Sequence, residues 1–202
     1  MYLKSIIYPI FVYLFLISTF NMTSQKNQET AIFAGGCFWC TESIFKSLKG
    51  VKEVTPGYIG GKRKNPTYEQ VSSGATGHAE AVKIIFDPEK ISYEELLQIF
   101  FATHDPTSLN RQGNDIGTQY RSAIFYSTPE QKKLAEAYIK FLNDSDTFDK
   151  YIVTEVVPAT EFYEAEDYHK NYLENNPDNP YCQFVVLPKL EKFRKKYKEK
   201  LK

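Results

Sequence analysis

Ala31-Ile32-Phe33-Ala34-Gly35-Gly36-Cys37-Phe38-Trp39-Cys40-Thr41-Glu42-Ser43-Ile44-Phe45 is the stretch from which the fold and the chemistry of this 202-residue chain are read. Its apolar start, residues 31–34, has the look of a strand, and the apolar spacing over residues 42–48 is that of a helix. Two glycines between them allow a tight turn. Cys37 then falls at or near the first helical turn, where unpaired N–H groups and the helix dipole favour negative charge. The thiolate is the nucleophilic form of cysteine, so this position suits a reactive residue, with Phe38 and Trp39 offering an apolar wall. A structural disulfide or half of a zinc site would use the same residues. Zinc needs a second close pair of ligands, whereas Cys182 is remote in sequence and His78, His104 and His169 are scattered; no metal is expected.

Residues 1–28 have the pattern of a targeting segment: Lys4, an apolar run over residues 6–20 interrupted by Pro9, then a polar stretch. A signal peptide is expected, with an uncleaved N-terminal membrane anchor as the alternative. The protein is therefore expected to be exported, periplasmic or secreted, or to stay attached to a membrane. Residues 29–202 are expected to form a single domain, large enough for a full apolar core and monomeric.

Along that domain, residues 51–58 should form a strand, residues 59–66 a loop, and Tyr68 should open a short polar helix. Residues 78–86 alternate in strand fashion, so Val82, Ile84 and Phe86 share a face, and Glu80 shares it with them. An isolated buried carboxylate is costly, so burial should raise its pKa and make it an acid near the cysteine. The competing reading is an edge-strand glutamate paired with a lysine or arginine. Ser92 to Glu95 is a capping box ahead of a core-facing helix, and residues 104–118 are a long polar loop suited to framing a pocket. A strand over 119–126, a helix capped at Thr128-Pro129, a strand over 151–157 and a helix near 164–173 follow. The turn-rich run 175–180 delivers Tyr181 and Cys182. This irregular mixture implies an α+β two-layer sandwich, a mixed sheet with flanking helices on a ferredoxin-like core.

Formal net charge is zero, yet residues 189–202 alone carry a net +6. Leu190, Phe193, Tyr197 and Leu201 lie roughly on one helical face, so this basic tail should be a C-terminal helix docked on the domain. No second basic surface or aromatic ladder accompanies it, and nucleic-acid binding is not expected.

The stretch Gly36-Cys37-Phe38-Trp39 resembles the signature of the type A peptide methionine sulfoxide reductases. The likeness continues through Gly57-Tyr58, Asn65-Pro66-Thr67-Tyr68, Thr76-Gly77-His78-Ala79-Glu80-Ala81, His104-Asp105-Pro106, Arg111 to Asp115, Gly117 to Ser122 and Ala165 to His169. It implies an α+β enzyme that reduces the S epimer of methionine sulfoxide, free or in proteins, without a bound cofactor. It implies Cys37 as nucleophile, Glu80 as acid, Tyr68 and Tyr120 as phenols orienting the sulfoxide oxygen, Asp115 as a further polar residue of the site, and Phe38 and Trp39 as the methyl-binding wall. Cys37 would become a sulfenic acid, condense with a second cysteine, and be recycled by thioredoxin or an equivalent dithiol. Many members carry glycine where this chain has Cys40, so two residues compete to resolve the sulfenic acid. Cys182, on a segment expected to be mobile, is preferred to Cys40, and a three-cysteine relay is open. A general thiol–disulfide oxidoreductase built on Cys37-x-x-Cys40 is the alternative, and it leaves Glu80 and the tyrosines without a task.

Overall fold

The structure is a computed structural model that describes residues 28–202, so the expected leader, up to residue 27, lies outside the described residues. Its elements are β1 (Glu29–Gly35), α1 (Phe38–Lys46), β2 (Val51–Ile59), α2 (Tyr68–Ser72), β3 (Ala79–Phe86), α3 (Tyr93–Thr103), β4 (Arg111–Gln112), β5 (Asp115–Ile116), β6 (Ser122–Tyr126), α4 (Pro129–Asp144), β7 (Glu155–Pro158), β8 (Tyr163–Glu164), α5 (Tyr172–Asn175) and α6 (Leu187–Lys196). Six strands make one sheet in the order β7-β6-β1-β3-β2-β8. Only the β6–β7 pair is parallel. The inner four, β6-β1-β3-β2, have α1 crossing from β1 to β2 and α3 from β3 towards β6, which is the split β-α-β of a ferredoxin-like core.

Side-chain alternation decides the layers. Ala31, Phe33, Val82, Ile84, Phe86 and Ile124 pack with Ile44, Phe45, Leu96, Leu97 and Phe100 of the helices. The other face carries the smaller set Ile32, Ala34, Ile59, Ala79, Ala81, Ala123 and Phe125, beneath Val157, Ala159 and Phe162. Phe33 stacks on Phe100 with centroids 4.9 Å apart, and burying each such ring contributes roughly 1.5–3 kcal/mol. The capping box expected at Ser92 is present, as is the Thr128 cap with Pro129 in the first turn of α4.

Several expected elements are shorter or broken, each because its backbone groups have other partners. Residues 118–120 form a 3-10 turn, with Gly117 at φ +146, so the strand expected from residue 119 starts at Ser122. Within the 151–157 segment, Ile152 N–H donates to Asn143 Oδ1 and Val153 N–H to the Pro106 carbonyl, which leaves the strand to Glu155–Pro158. The helix expected near 164–173 is split. Glu164 pairs with Gly57 of β2, residues 167–169 make a 3-10 turn, and Asn171 at φ +54 separates them from α5. The 104–118 loop contains the β4–β5 hairpin. The C-terminal helix ends at Lys196 rather than running to residue 202, and Leu201 bridges back to Leu48. Its predicted apolar face does dock: Leu190 and Phe193 are buried, and Tyr197 and Leu201 pack against the core.

Candidate active site

The strand–glycine–helix unit sets the geometry. Gly36 adopts φ +90, and a Cβ there would stand 2.7 Å from Gln112 Cγ, so the turn excludes other residues. Cys37 is the N-cap residue of α1, and its carbonyl accepts from Cys40 N–H at 3.2 Å and Thr41 N–H at 3.4 Å. The next N–H, that of Phe38, donates to Glu80 Oε2 at 3.1 Å. One helix start thus holds both the thiol and the carboxyl.

Glu80 stands on the core face of β3 opposite Tyr58 and is 1% exposed. Burial raises its pKa to about 8. The Phe38 N–H opposes the shift, whereas Asp115 and Cys40 add to it as negative neighbours. The edge-strand ion pair does not form: the charges around Glu80 are negative. At neutral pH Glu80 is largely a neutral acid, able to give a proton.

Cys37 departs from the sequence-based expectation. Burial, the hydrogen bond with the Cys40 thiol and the proximity of Glu80 push it well up, and the favourable helix start does not compensate. Cys40 is drawn down, chiefly by that same hydrogen bond, with Lys189 assisting. The resting nucleophile is a thiol in a buried site.

Tyr68 begins α2, its N–H held by Glu166 Oε1 at 2.9 Å. Burial and Glu80 push its phenol up to about 12, and the same two causes, in that order, raise Tyr120. Both phenols therefore keep their protons and feel Glu80. Asp115, on β5, accepts from the Tyr181 hydroxyl at 2.5 Å and acts electrostatically on Glu80, Cys40 and Tyr120. Trp39 is half-buried and stacks on Tyr172 at 3.6 Å with planes 3° apart. Phe38 is 1% exposed, its ring packed among those of Tyr58, Tyr68 and His169. The fold brings together Cys37, Cys40, Glu80, Tyr68, Tyr120, Asp115 and Trp39.

Cys182 is not on a loose arm. Asn179 Oδ1 accepts from the N–H groups of Tyr181 at 2.9 Å and Cys182 at 3.4 Å, and a π-helical turn, Cys182–Val186, leads straight into α6. The residue is fully buried in a small cluster with Cys40 and Val186, under Trp39, Tyr172, Leu173 and Tyr181. Such π turns are frequent at functional sites. Three supporting residues carried no periodic signal in the sequence. Tyr181 is tied to Asp115, Glu166 accepts from Tyr58 Oη at 2.8 Å as well as from Tyr68 N–H, and His169 accepts from the Trp39 indole at 3.0 Å.

Residues 29–201 match the model of a family described as peptide methionine sulfoxide reductase. The chain is similar to a Deinococcus radiodurans protein named peptide methionine sulfoxide reductase MsrA, 55% identical over 191 residues, covering 90% of this chain and 93% of the relative. Among solved structures it is similar to methionine sulfoxide reductase A of Corynebacterium diphtheriae, with a TM-score of 0.67 and 38% identity over 76% of this chain and 77% of that one. It is also similar to Mxr1 from Saccharomyces cerevisiae in reduced form, with a TM-score of 0.70 and 35% identity over 77% and 89% of the two chains. By its matched sequence and its fold, this chain belongs to the peptide methionine sulfoxide reductase family.

Proposed function

We propose that the chain reduces the S epimer of methionine sulfoxide, free or within proteins, with Cys37 as nucleophile and Glu80 as acid. The observation that carries this is the pairing of Cys37 and a neutral buried Glu80 at one helix start, joined through the Phe38 N–H. The sulfoxide oxygen must leave sulfur with a proton, so the site has to supply a thiolate, an acid and hydrogen-bond donors together. Tyr68 and Tyr120 supply the donors, and Trp39 receives the methyl group. Attack forms the Cys37 Sγ–substrate sulfur bond while Glu80 protonates the oxygen. The oxygen then passes to Cys37, giving a sulfenic acid and the methionine thioether. Sulfoxide sulfur is reduced by two electrons and Cys37 is oxidised by two.

The position of the cysteines favours a relay, Cys37 to Cys40 to Cys182, over direct attack by a swinging Cys182. Cys40 lies one helical turn from Cys37, a spacing that suits a disulfide. Condensation of its thiol with the sulfenic acid releases water and forms Cys37–Cys40. Cys182, packed on Cys40, then exchanges to give Cys40–Cys182 and a free Cys37 thiol, and an external dithiol reduces that bridge to two thiols. Mxr1 has been solved in complex with Trx2, and a thioredoxin-like protein is the reductant proposed here.

In a thioredoxin-coupled assay, Cys40→Ser should reduce about one equivalent of sulfoxide and then stall, with partial rescue by dithiothreitol, which reduces the sulfenic acid directly. Cys182→Ser should accumulate a Cys37–Cys40 bridge on peptide mapping and turn over slowly. Normal turnover of Cys40→Ser with a mapped Cys37–Cys182 bridge would refute the relay. A general thiol–disulfide oxidoreductase would instead reduce insulin disulfides without consuming sulfoxide.

Export or N-terminal membrane attachment remains the proposal for residues 1–28, supported by Lys4 and the apolar run over residues 6–20. Among the described residues no helix is long and apolar enough to cross a membrane.

A further inference from the structure

Trp39 is the only tryptophan of the chain, and its indole is fixed from two directions. Tyr172 lies flat against it, and the indole N–H donates to His169 Nδ1 at 3.0 Å. His169 is 1% exposed, with its ring centroid 5.0 Å from that of Phe38 and 4.4 Å from that of Tyr68. An indole nitrogen can only donate, so Nδ1 of His169 carries no proton and the neutral imidazole holds its proton on Nε2. That Nε2 is buried without a hydrogen-bond partner. Its neighbour Glu166 Oε2 is 3.9 Å away, beyond hydrogen-bond reach, and already accepts from Tyr58.

The consequence is a ring that tolerates one protonation state. A second proton would have to sit on Nδ1 and point at the indole N–H, donor against donor. The groups facing the imidazole are the carboxylates of Glu166 and Glu69 and the phenols of Tyr68, Tyr168 and Tyr172. Burial, the largest influence, holds His169 below the ordinary histidine range, and the two carboxylates oppose it.

Building on the reading of Trp39 as the methyl-binding wall, we propose that His169 is a positioning residue, a neutral acceptor that locks the Trp39 indole, and that its protonation in acid releases the indole and weakens sulfoxide binding. Neither Cys37 nor Glu80 needs to change for this to happen. Glu80, with its pKa raised to about 8, stays protonated throughout the acid range and adds no titration there.

The test uses two readouts from pH 7.5 downwards. One is the emission of the wild-type enzyme, which reports Trp39 alone when excited at the red edge. The other is the dissociation constant of N-acetyl-methionine S-sulfoxide amide for the full-length Cys37→Ser protein, which binds without reacting. Both should change with one midpoint, below the ordinary histidine range. His169→Gln keeps an acceptor that cannot be protonated, so in it both transitions should vanish while neutral-pH affinity stays within about twofold of the parent. His169→Phe keeps the ring but orphans the indole N–H, and affinity should fall about tenfold at every pH. Emission that stays flat across the range, or an acid transition that survives in His169→Gln, would overturn the proposal. Should the variants fail to fold, the coincidence or separation of the two midpoints in proteins with His169 intact decides it. Absence of sulfoxide binding with the emission transition intact would count against the substrate reading, not against the lock.

Discussion

Cys37→Ser is expected to lower single-turnover reduction of methionine S-sulfoxide by on the order of 10⁴–10⁶-fold, the loss typical of removing a nucleophile. A serine hydroxyl at a buried site carrying no base strong enough to ionise it cannot attack the sulfoxide sulfur. The fold should not suffer. The side chain of Cys37 makes no capping hydrogen bond, and serine is a preferred N-cap residue, so α1 should begin at least as well as before. Methionine formed per enzyme, measured beside thermal unfolding, checks both halves. Substantial residual turnover in a protein with unchanged Tm would remove Cys37 from the mechanism.

Glu80→Gln is expected to slow the same single turnover by ~10²–10⁴-fold, the range for loss of a general acid. Glutamine has the same shape, and its carbonyl oxygen can still accept from Phe38 N–H, so the loss isolates the proton. The pH dependence sharpens the test. The reactive arrangement, a Cys37 thiolate beside a Glu80 acid, holds one proton between two groups. Glu80 titrates at about 8, and Cys37, raised from a higher starting point, titrates above it. Below about pH 8 both groups are protonated, so the rate at sub-saturating substrate should climb as the first proton leaves. It should then stay level and fall only when the second proton goes. In Glu80→Gln the climb should move to the Cys37 titration and the fall should disappear. A variant within a few-fold of wild type, or with an unshifted profile, would show that the proton comes from elsewhere.

The parts of this site that local pattern exposes were legible before the structure. Alternation alone put Glu80 on the core face with Val82, Ile84 and Phe86, and two glycines between a strand and a helix put Cys37 at a helix start. Whether Cys37 rests as a thiolate was not legible, because a helix start and burial act in opposite directions and only the observed burial tells which wins. The same holds for Cys182. Prolines and asparagines before it suggested a loose arm, yet the Asn179 side chain caps the turn and seats the thiol on Cys40, a tertiary contact without a sequence period. The helix expected near 164–173 failed at Asn171, whose left-handed conformation is supported by its own N–H donating to the buried Glu42 carboxyl at 2.9 Å. The pairings of Tyr181 with Asp115, Glu166 with Tyr58 and His169 with Trp39 span 66, 108 and 130 positions, and no local pattern carries such distances.

In the proposed mechanism Glu80, Tyr68 and Tyr120 hold the sulfoxide oxygen and Trp39 receives the methyl group, so the enzyme should distinguish the two epimers of the chiral sulfur. The direct measurement is to mix the reduced enzyme, without any external reductant, with each separate epimer of a blocked methionine sulfoxide, and to follow methionine formation and the loss of free protein thiols together. The S epimer should give a rapid burst of about one equivalent of methionine or more, with two protein thiols lost for the first equivalent, while the R epimer should leave both unchanged. Equal consumption of the two epimers, or methionine formed with no protein thiol lost, would rule this mechanism out.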